Sequence, residues 1–210
     1  GRKITHHALA RLQQKENEQP ATSAPGDGDD PGPGLFMEWA VGKQGEMMRP
    51  NSGKLMLPGS KIVWDIHYSN GGEDITDQVE LGIYFYPKGQ EPKYRQVLHL
   101  MGATNAGGVD LPPNTVKATE GYFVLRENGR VESFQPHMHL RGKSILYEAI
   151  YPSGEHKTLL DVPHYDFNWQ TAYRLAEPLK LPAGTRLHCT AQFDNSEQNL
   201  NNPDPKATVR

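Results

Sequence analysis

Short segments rich in β-branched and aromatic residues, each ended by a glycine- or proline-containing turn, restrict the fold of this 210-residue chain more than any other feature. In residues 61–68, apolar and polar side chains alternate, as in a strand with one buried face. Glycine and proline number 21 and 17, which favours many turns over long helices. The sequence therefore predicts an all-β fold of the sandwich or barrel kind. The other predicted strands cover residues 4–10, 79–86, 94–101, 115–125, 130–135, 144–151 and 186–193.

A proline-glycine turn that leads into a strand occurs twice, at residues 57–61 and 181–186. The two copies align once a one-residue insertion is allowed at Ala183, which predicts two related β units. We expect these units to occupy residues 1–110 and 111–210 and to meet in the glycine- and proline-rich stretch 106–114. Residues 13–34 are polar and have nothing to bury, so they are predicted to form a long surface loop.

Charge and composition exclude several classes of protein. The formal net charge of −3 provides no basic surface for nucleic acid. No apolar run reaches the 18 or so residues of a membrane-spanning helix. A single cysteine, Cys189, cannot close an intrachain disulfide. Since the chain opens without methionine and ends abruptly, we interpret it as a fragment that lacks the first strands of one unit and the last strands of the other.

Two histidine pairs, His6-His7 and His137-Met138-His139, stand out among the nine histidines. Composition alone could supply one such pair, and solvated or hydrogen-bonded histidines are the common alternative to metal ligands. On a strand, residues i and i+2 share a face, so His137 and His139 could present two imidazoles to one metal while Met138 faces away.

The adjacent pair needs help from elsewhere in the fold. Neighbouring strand residues point to opposite faces, so His6 and His7 could share a metal only where the strand ends, bulges or twists. A third imidazole must also come from a distant segment. His67, on the more polar face of the strand predicted at residues 61–68, is the best candidate.

Other metal and catalytic patterns fit poorly. A cupin site needs a carboxylate four or five positions after His139, where Lys143 and Ser144 stand, and no His-Glu-x-x-His motif is present. A blue-copper site needs a cysteine and a later methionine, but no methionine follows Met138. Cys189 is predicted to be a buried strand residue. Four isolated histidines are predicted to be structural or surface residues: His99, His156, His164 and His188.

The sequence segments around the histidines resemble those of the bacterial branch of the copper type II, ascorbate-dependent monooxygenases. This family includes dopamine β-hydroxylase and the peptidylglycine hydroxylating enzyme. The similar segments occur in the family's order and span nearly the whole chain. They are THHAL at residues 5–9, WDIHY at 64–68, QPHMHLRG at 135–142, YDFNWQ at 165–170, DNS at 194–196 and NPDP at 202–205.

This resemblance implies two antiparallel jelly-roll β-sandwiches with one copper ion each. The implied electron-transfer site is His6, His7 and His67, and the implied oxygen-activating, catalytic site includes His137 and His139. The implied reaction hydroxylates a C–H bond of a small molecule with O₂ and an external reductant, which is ascorbate in the animal enzymes. An extracytoplasmic location, periplasmic or secreted, is also implied.

Two departures from the family pattern shape these expectations. The family's thioether ligand is a methionine beyond the NPDP-like segment, so we expect it after Arg210 and expect the fragment alone to be inactive. Gln135 stands where the peptide-amidating branch has an arginine that holds the substrate's carboxylate, which argues against a peptide C-terminus as substrate. The rival hypothesis is a non-catalytic copper-binding β-sandwich protein.

Overall fold

The structure, a computed structural model, describes residues 4–15, 34–43, 45–69, 72, 74–99, 101 and 109–209. It confirms the all-β prediction, because the described elements are strands that pair mainly in antiparallel sheets. The chain divides into two compact units between residues 99 and 100. The predicted surface loop at 13–34 and the predicted junction at 106–114 fall largely on residues 16–33 and 102–108, outside the described part of the chain.

The N-terminal unit is built on a three-stranded antiparallel sheet in the order β2-β1-β4. Its central strand buries Ala8, Ala10 and Leu12 at alternate positions. Two very short strands pair in parallel beside it. The strands of this unit are β1 (Thr5–Gln13), β2 (Leu35–Ala40), β3 (Ser52–Gly53), β4 (Lys61–Tyr68) and β5 (Tyr94–Arg95).

The C-terminal unit contains a four-stranded antiparallel sheet in the order β6-β11-β8-β9 and a two-stranded antiparallel sheet of β10 and β7. The strands are β6 (Val116–Val124), β7 (Gly129–Phe134), β8 (Gly142–Ile150), β9 (His156–Val162), β10 (Tyr173–Leu181) and β11 (Arg186–Asp194). Both sheets contribute side chains to one apolar layer, as in a sandwich, since Phe134 of β7 packs with Tyr147 of β8 and Cys189 of β11. Whether the connections follow a jelly roll stays a prediction.

Alternation along β8 and β11 produces this core. Ile145, Tyr147 and Ala149 are buried on β8, and each lies opposite a buried residue of β11. The cross-strand pairs are Ile145 with Ala191, Tyr147 with Cys189 and Ala149 with Leu187. Two antiparallel strands whose apolar residues share one face bury them together, which is the main stabilising contribution of such a pair.

The two proline-glycine turns have the same local geometry. Ser60 donates its backbone N–H to Leu57 at 3.2 Å, and Thr185 donates its own to Pro182 at 3.2 Å. Gly59 and Gly184 adopt φ of +79° and +84°, a region that glycine enters without strain. Each turn ends directly before a strand, β4 and β11 respectively.

One predicted strand is wrong and another is much shorter than predicted. Residues 79–86 form no strand, and Tyr84 and Phe85 are 98% and 70% exposed. The segment predicted at 94–101 is a strand only at Tyr94 and Arg95. β-branched and aromatic residues favour a strand only where a neighbouring strand offers a backbone to pair with. The described residues provide none beside 79–86.

Asn195 ties the last part of the C-terminal unit to its beginning. Its side chain is fully buried, and its Nδ2 atom donates to the carbonyls of Pro112 and Ala207, each at 2.9 Å. Its Oδ1 atom accepts from Arg141 Nε at 2.7 Å and from Asn202 Nδ2 at 3.0 Å. Because these partners come from three separate parts of the unit, around Pro112, at Arg141 and in the segment 202–207, the single amide crosslinks them.

We predict that Asn195→Ala lowers the free energy of unfolding of the C-terminal unit by about 2 to 4 kcal/mol, because buried donors and acceptors lose their partners. Chemical denaturation of the full chain would measure the loss of stability. Amide hydrogen exchange in β8 and β11 would show whether the loss falls on the C-terminal unit. The exposed Asn201→Ala is the control, with an expected change within about 0.5 kcal/mol. Equal stability of the two variants would contradict a crosslinking role.

Candidate metal centres

A β-bulge brings the adjacent histidines of the N-terminal unit towards the same partner strand. Strands β1 and β4 pair antiparallel, with Thr5 opposite Tyr68 and His7 opposite His67. Two steps along β1 thus match one step along β4, so His6 is the extra residue of the bulge. A bulge redirects side chains that would otherwise point to opposite faces. The condition that the sequence set for His6 and His7 to act together is therefore met.

The three imidazoles of this unit lie close to one another, and we call them the N-terminal cluster. The ring centroids are 4.4 Å apart for His6 and His7, 5.6 Å for His6 and His67, and 4.0 Å for His7 and His67. Imidazoles that bind one ion through nitrogens about 2 Å away have centroids roughly 5 to 6 Å apart. The observed separations lie within about 1 Å of that range.

His67 still has to turn to complete the cluster. Ligand atoms of His6 and His7 lie within 4.8 Å of each other, but among the described residues of this unit no three His, Cys, Asp or Glu ligand atoms are that close. The His67 ring is 45% exposed, so rotation meets little packing resistance.

Asp65 lies within hydrogen-bond distance of His67. The two side chains share a face of β4, and Asp65 Oδ1 lies 3.1 Å from His67 Nε2. A carboxylate that accepts a hydrogen bond from Nε2–H leaves the Nδ1 lone pair of a neutral imidazole available for a metal. In this arrangement Asp65 orients the ring rather than competing for the ion.

We call His137 and His139 the C-terminal pair. The prediction that they lie on a strand is wrong. Strand β7 ends at Phe134 and β8 begins at Gly142, so His137 and His139 lie in the connection between them. Pro136, which has no N–H for a ladder, precedes His137. Met138 does face away from the histidines as predicted, since its side chain is 4% exposed and packs in the core with Phe134.

The two rings of the C-terminal pair can reach one ion. Their centroids are 5.4 Å apart and their planes meet at 80°. His137 is half-buried and His139 exposed, so an ion held by both would be open to small molecules. The described residues of this unit supply no third His, Cys, Asp or Glu to form a close triad. Met101, the other methionine of this unit, also packs against the core. The thioether ligand expected after Arg210 therefore stays a prediction.

His188 is a structural residue, as the sequence predicted. It is 13% exposed, with Nδ1 3.4 Å from Glu148 and Nε2 3.6 Å from Glu120. Its ring stacks on Tyr122 with a centroid distance of 4.4 Å. The two carboxylates lie at opposite ring nitrogens and come from the neighbouring strands β6 and β8, which suits cross-strand polar contacts better than a shared ligand site.

Sequence reasoning missed the side-chain contacts made around the C-terminal pair. Tyr165 contacts the Met138 backbone through its phenol group, and Gly142 provides the space for that contact. Arg141 is anchored by Asn195. The available signal was that all of these residues lie within the segments QPHMHLRG, YDFNWQ and DNS. Their roles require backbone contacts that no spacing rule reveals.

Comparisons with models of known protein families and with curated proteins find no match to this chain. The resemblance to copper monooxygenases therefore remains a hypothesis built on the residues themselves. Within the described ranges, no helix is long and apolar enough to cross a lipid bilayer.

We predict that His67→Ala reduces the copper affinity of the N-terminal cluster by at least about tenfold, because one of three imidazoles is lost. Binding at His137 and His139 should change little. Copper titration of the full chain, monitored by electron paramagnetic resonance, would resolve the two. The exposed His156→Ala is the control. Unaltered stoichiometry and affinity in His67→Ala would show that His67 is not a ligand.

Cys189 offers a second test of the ligand set. Burial raises the pKa of its thiol to about 12, so at pH 8 only about one molecule in ten thousand carries the thiolate that a metal would need. We predict that native protein resists alkylation by iodoacetamide and that Cys189→Ala keeps the full copper stoichiometry. Unfolding in urea should make the thiol reactive. Loss of one copper in Cys189→Ala would contradict this assignment.

Proposed function

We propose that the chain is the copper-binding part of a copper-dependent monooxygenase that hydroxylates a C–H bond of a small molecule. The observation that carries the proposal is the gathering of His6, His7 and His67 by a bulged strand pair. The sequence resemblance names the same three residues, although His67 lies 60 positions after His7 in the chain. The C-terminal pair supplies the second set of imidazoles that the proposal requires.

The donor atoms of both groups fit copper. Imidazole nitrogens bind copper in both oxidation states, and a set of three suits an ion that only transfers electrons. The more open C-terminal pair leaves positions for O₂ and another ligand. Copper bound there would supply O₂ activation, and copper in the N-terminal cluster would supply an electron drawn from an external reductant. Ascorbate is the reductant that the resemblance suggests.

The remaining parts of the proposal follow from the resemblance. They are the jelly-roll connections of the two units, an extracytoplasmic setting, and a small-molecule substrate. Met138 keeps its thioether in the core, so the soft ligand expected for Cu(I) has to come from another methionine. His137 and His139 are the proposed catalytic residues, and Gln135 leaves the site without a cation for a substrate carboxylate at that position.

A non-catalytic copper-binding protein is the second candidate. The exposure of His139 and the two-histidine composition of the C-terminal pair favour it, because two imidazoles alone hold Cu(I) weakly. The N-terminal cluster would then be the functional site, with a role in copper storage or delivery.

Isotope-labelled O₂ distinguishes the two candidates. We predict that copper-loaded protein, produced with its natural flanking sequence and supplied with ascorbate, transfers one labelled oxygen atom into a component of a small-molecule mixture, as detected by mass spectrometry. His137→Ala should abolish incorporation, whereas His156→Ala should retain it. Tight copper binding without incorporation, in parent and variants alike, would favour the non-catalytic candidate.

A further inference from the structure

We propose that Tyr165 is the positioning residue of the C-terminal pair, holding the peptide between the two histidines so that both rings can address one ion. The inference rests on the proposed function, because it assumes that His137 and His139 bind copper. It assigns a role to a tyrosine that is not itself a ligand.

A single phenol hydroxyl makes two hydrogen bonds to one residue. The backbone N–H of Met138 donates to Tyr165 Oη at 3.0 Å, and the same hydroxyl donates to the Met138 carbonyl at 2.5 Å. Tyr165 therefore replaces the two ladder bonds that a neighbouring strand would have made to Met138. Buried backbone groups outside a sheet need such partners.

Three further contacts fix the phenol and the peptide relative to the sheet. The backbone N–H of Tyr165 donates to the Lys143 carbonyl at 2.9 Å, which attaches the tyrosine to the start of β8. The N–H of Gly142 donates to the His139 carbonyl at 2.8 Å. The Met138 side chain is buried in the core. The segment is thus held by its side chain, its peptide and its C-terminal turn.

Gly142 shows how closely these parts fit. A Cβ atom added at this position would lie 2.6 Å from Met138 Cβ and 2.9 Å from Tyr165 Cδ1. Separations that short force a shift in one or both neighbours. Glycine is required here because Met138 and the Tyr165 ring occupy the space that a side chain would need.

We call the two hydrogen bonds between Tyr165 and Met138 the Tyr165 clamp. The clamp acts on both histidines because each is one residue away from Met138. Movement of the Met138 peptide would displace His137 and His139 together and change the 5.4 Å ring separation. A metal centre depends on ligand geometry being held by such supporting contacts. Since the hydroxyl is already bonded to the backbone, Tyr165 acts through the histidines rather than on the ion.

The test compares Tyr165→Phe with the parent chain in a His6→Ala/His67→Ala background, which leaves a single imidazole in the N-terminal cluster so that copper binds at the C-terminal pair. Phenylalanine keeps the ring and removes only the hydroxyl. We expect a loss of copper affinity of about 10- to 100-fold and altered, broadened Cu(II) hyperfine lines in electron paramagnetic resonance. The thermal midpoint and the amide exchange of β8 and β11 report whether the fold is retained.

Tyr122→Phe is the matched control. It removes a phenol hydrogen bond of 2.8 Å, made to Glu120, from the face of the sheet opposite the core. This variant should bind copper with the affinity and spectrum of the parent. If Tyr165→Phe does not fold, Gly142→Ala provides the second variant, because it displaces the clamp while keeping the hydroxyl, and it should give the same spectral change.

The outcomes separate this inference from the proposed function. Copper binding in the parent with an unchanged affinity and spectrum in Tyr165→Phe, even with a lower thermal midpoint, would overturn the positioning role alone. Absence of copper at the C-terminal pair in the parent would overturn the proposed function and the positioning role with it. Weakened binding with altered hyperfine lines in Tyr165→Phe, but not in Tyr122→Phe, supports both.

Discussion

Backbone hydrogen bonding in the β ladders is the constraint on which both candidate centres depend, because the histidines lie where a ladder is interrupted. At His6 the interruption is a bulge of one residue between β1 and β4. At His137 and His139 it is the connection between β7 and β8, where Tyr165 takes over the pairing of Met138. For the adjacent His6 and His7 the interruption is essential, because a regular ladder would send their side chains to opposite faces.

Much of the fold could be predicted because strand composition, turn signals and, in β4, alternation are visible in a single sequence. Strand β4 was predicted with its observed bounds from its alternating pattern, and β6, β8 and β11 were predicted within two residues at each end from runs of strand-forming residues between turns. Strand β10 escaped prediction because Pro178 interrupts its pattern, and its register with β7 is irregular between Arg174 and Leu179. Residues 79–86 failed for the opposite reason, since their strong strand propensity finds no described partner.

The candidate sites were predictable only in part. Spacing and residue type singled out the two histidine pairs as candidates, the family resemblance implied the set of five, and the requirement for a bulge followed from strand geometry alone. Neither the Tyr165 clamp nor the Asn195 crosslink could be derived, because each depends on side-chain contacts to distant backbone atoms, 27 residues away for Tyr165 and up to 84 residues away for Asn195. Such contacts leave no periodicity, and polar residues in loops resemble ordinary surface positions until their partners are known.

The turn before β4 bears on the N-terminal cluster as much as the histidines do. Strand side chains repeat every two residues, so a slip of one residue would place Ile66 opposite His7 and turn His67 to the other face. Ile62, Trp64 and Ile66 resist that slip, because their half-buried face would become the polar one. Gly59 occupies the turn with φ of +79°, and the turn closes at Ser60, directly before β4 begins. The apolar pattern of β4 and the preceding turn therefore specify the same register, and that register carries His67 to its partners.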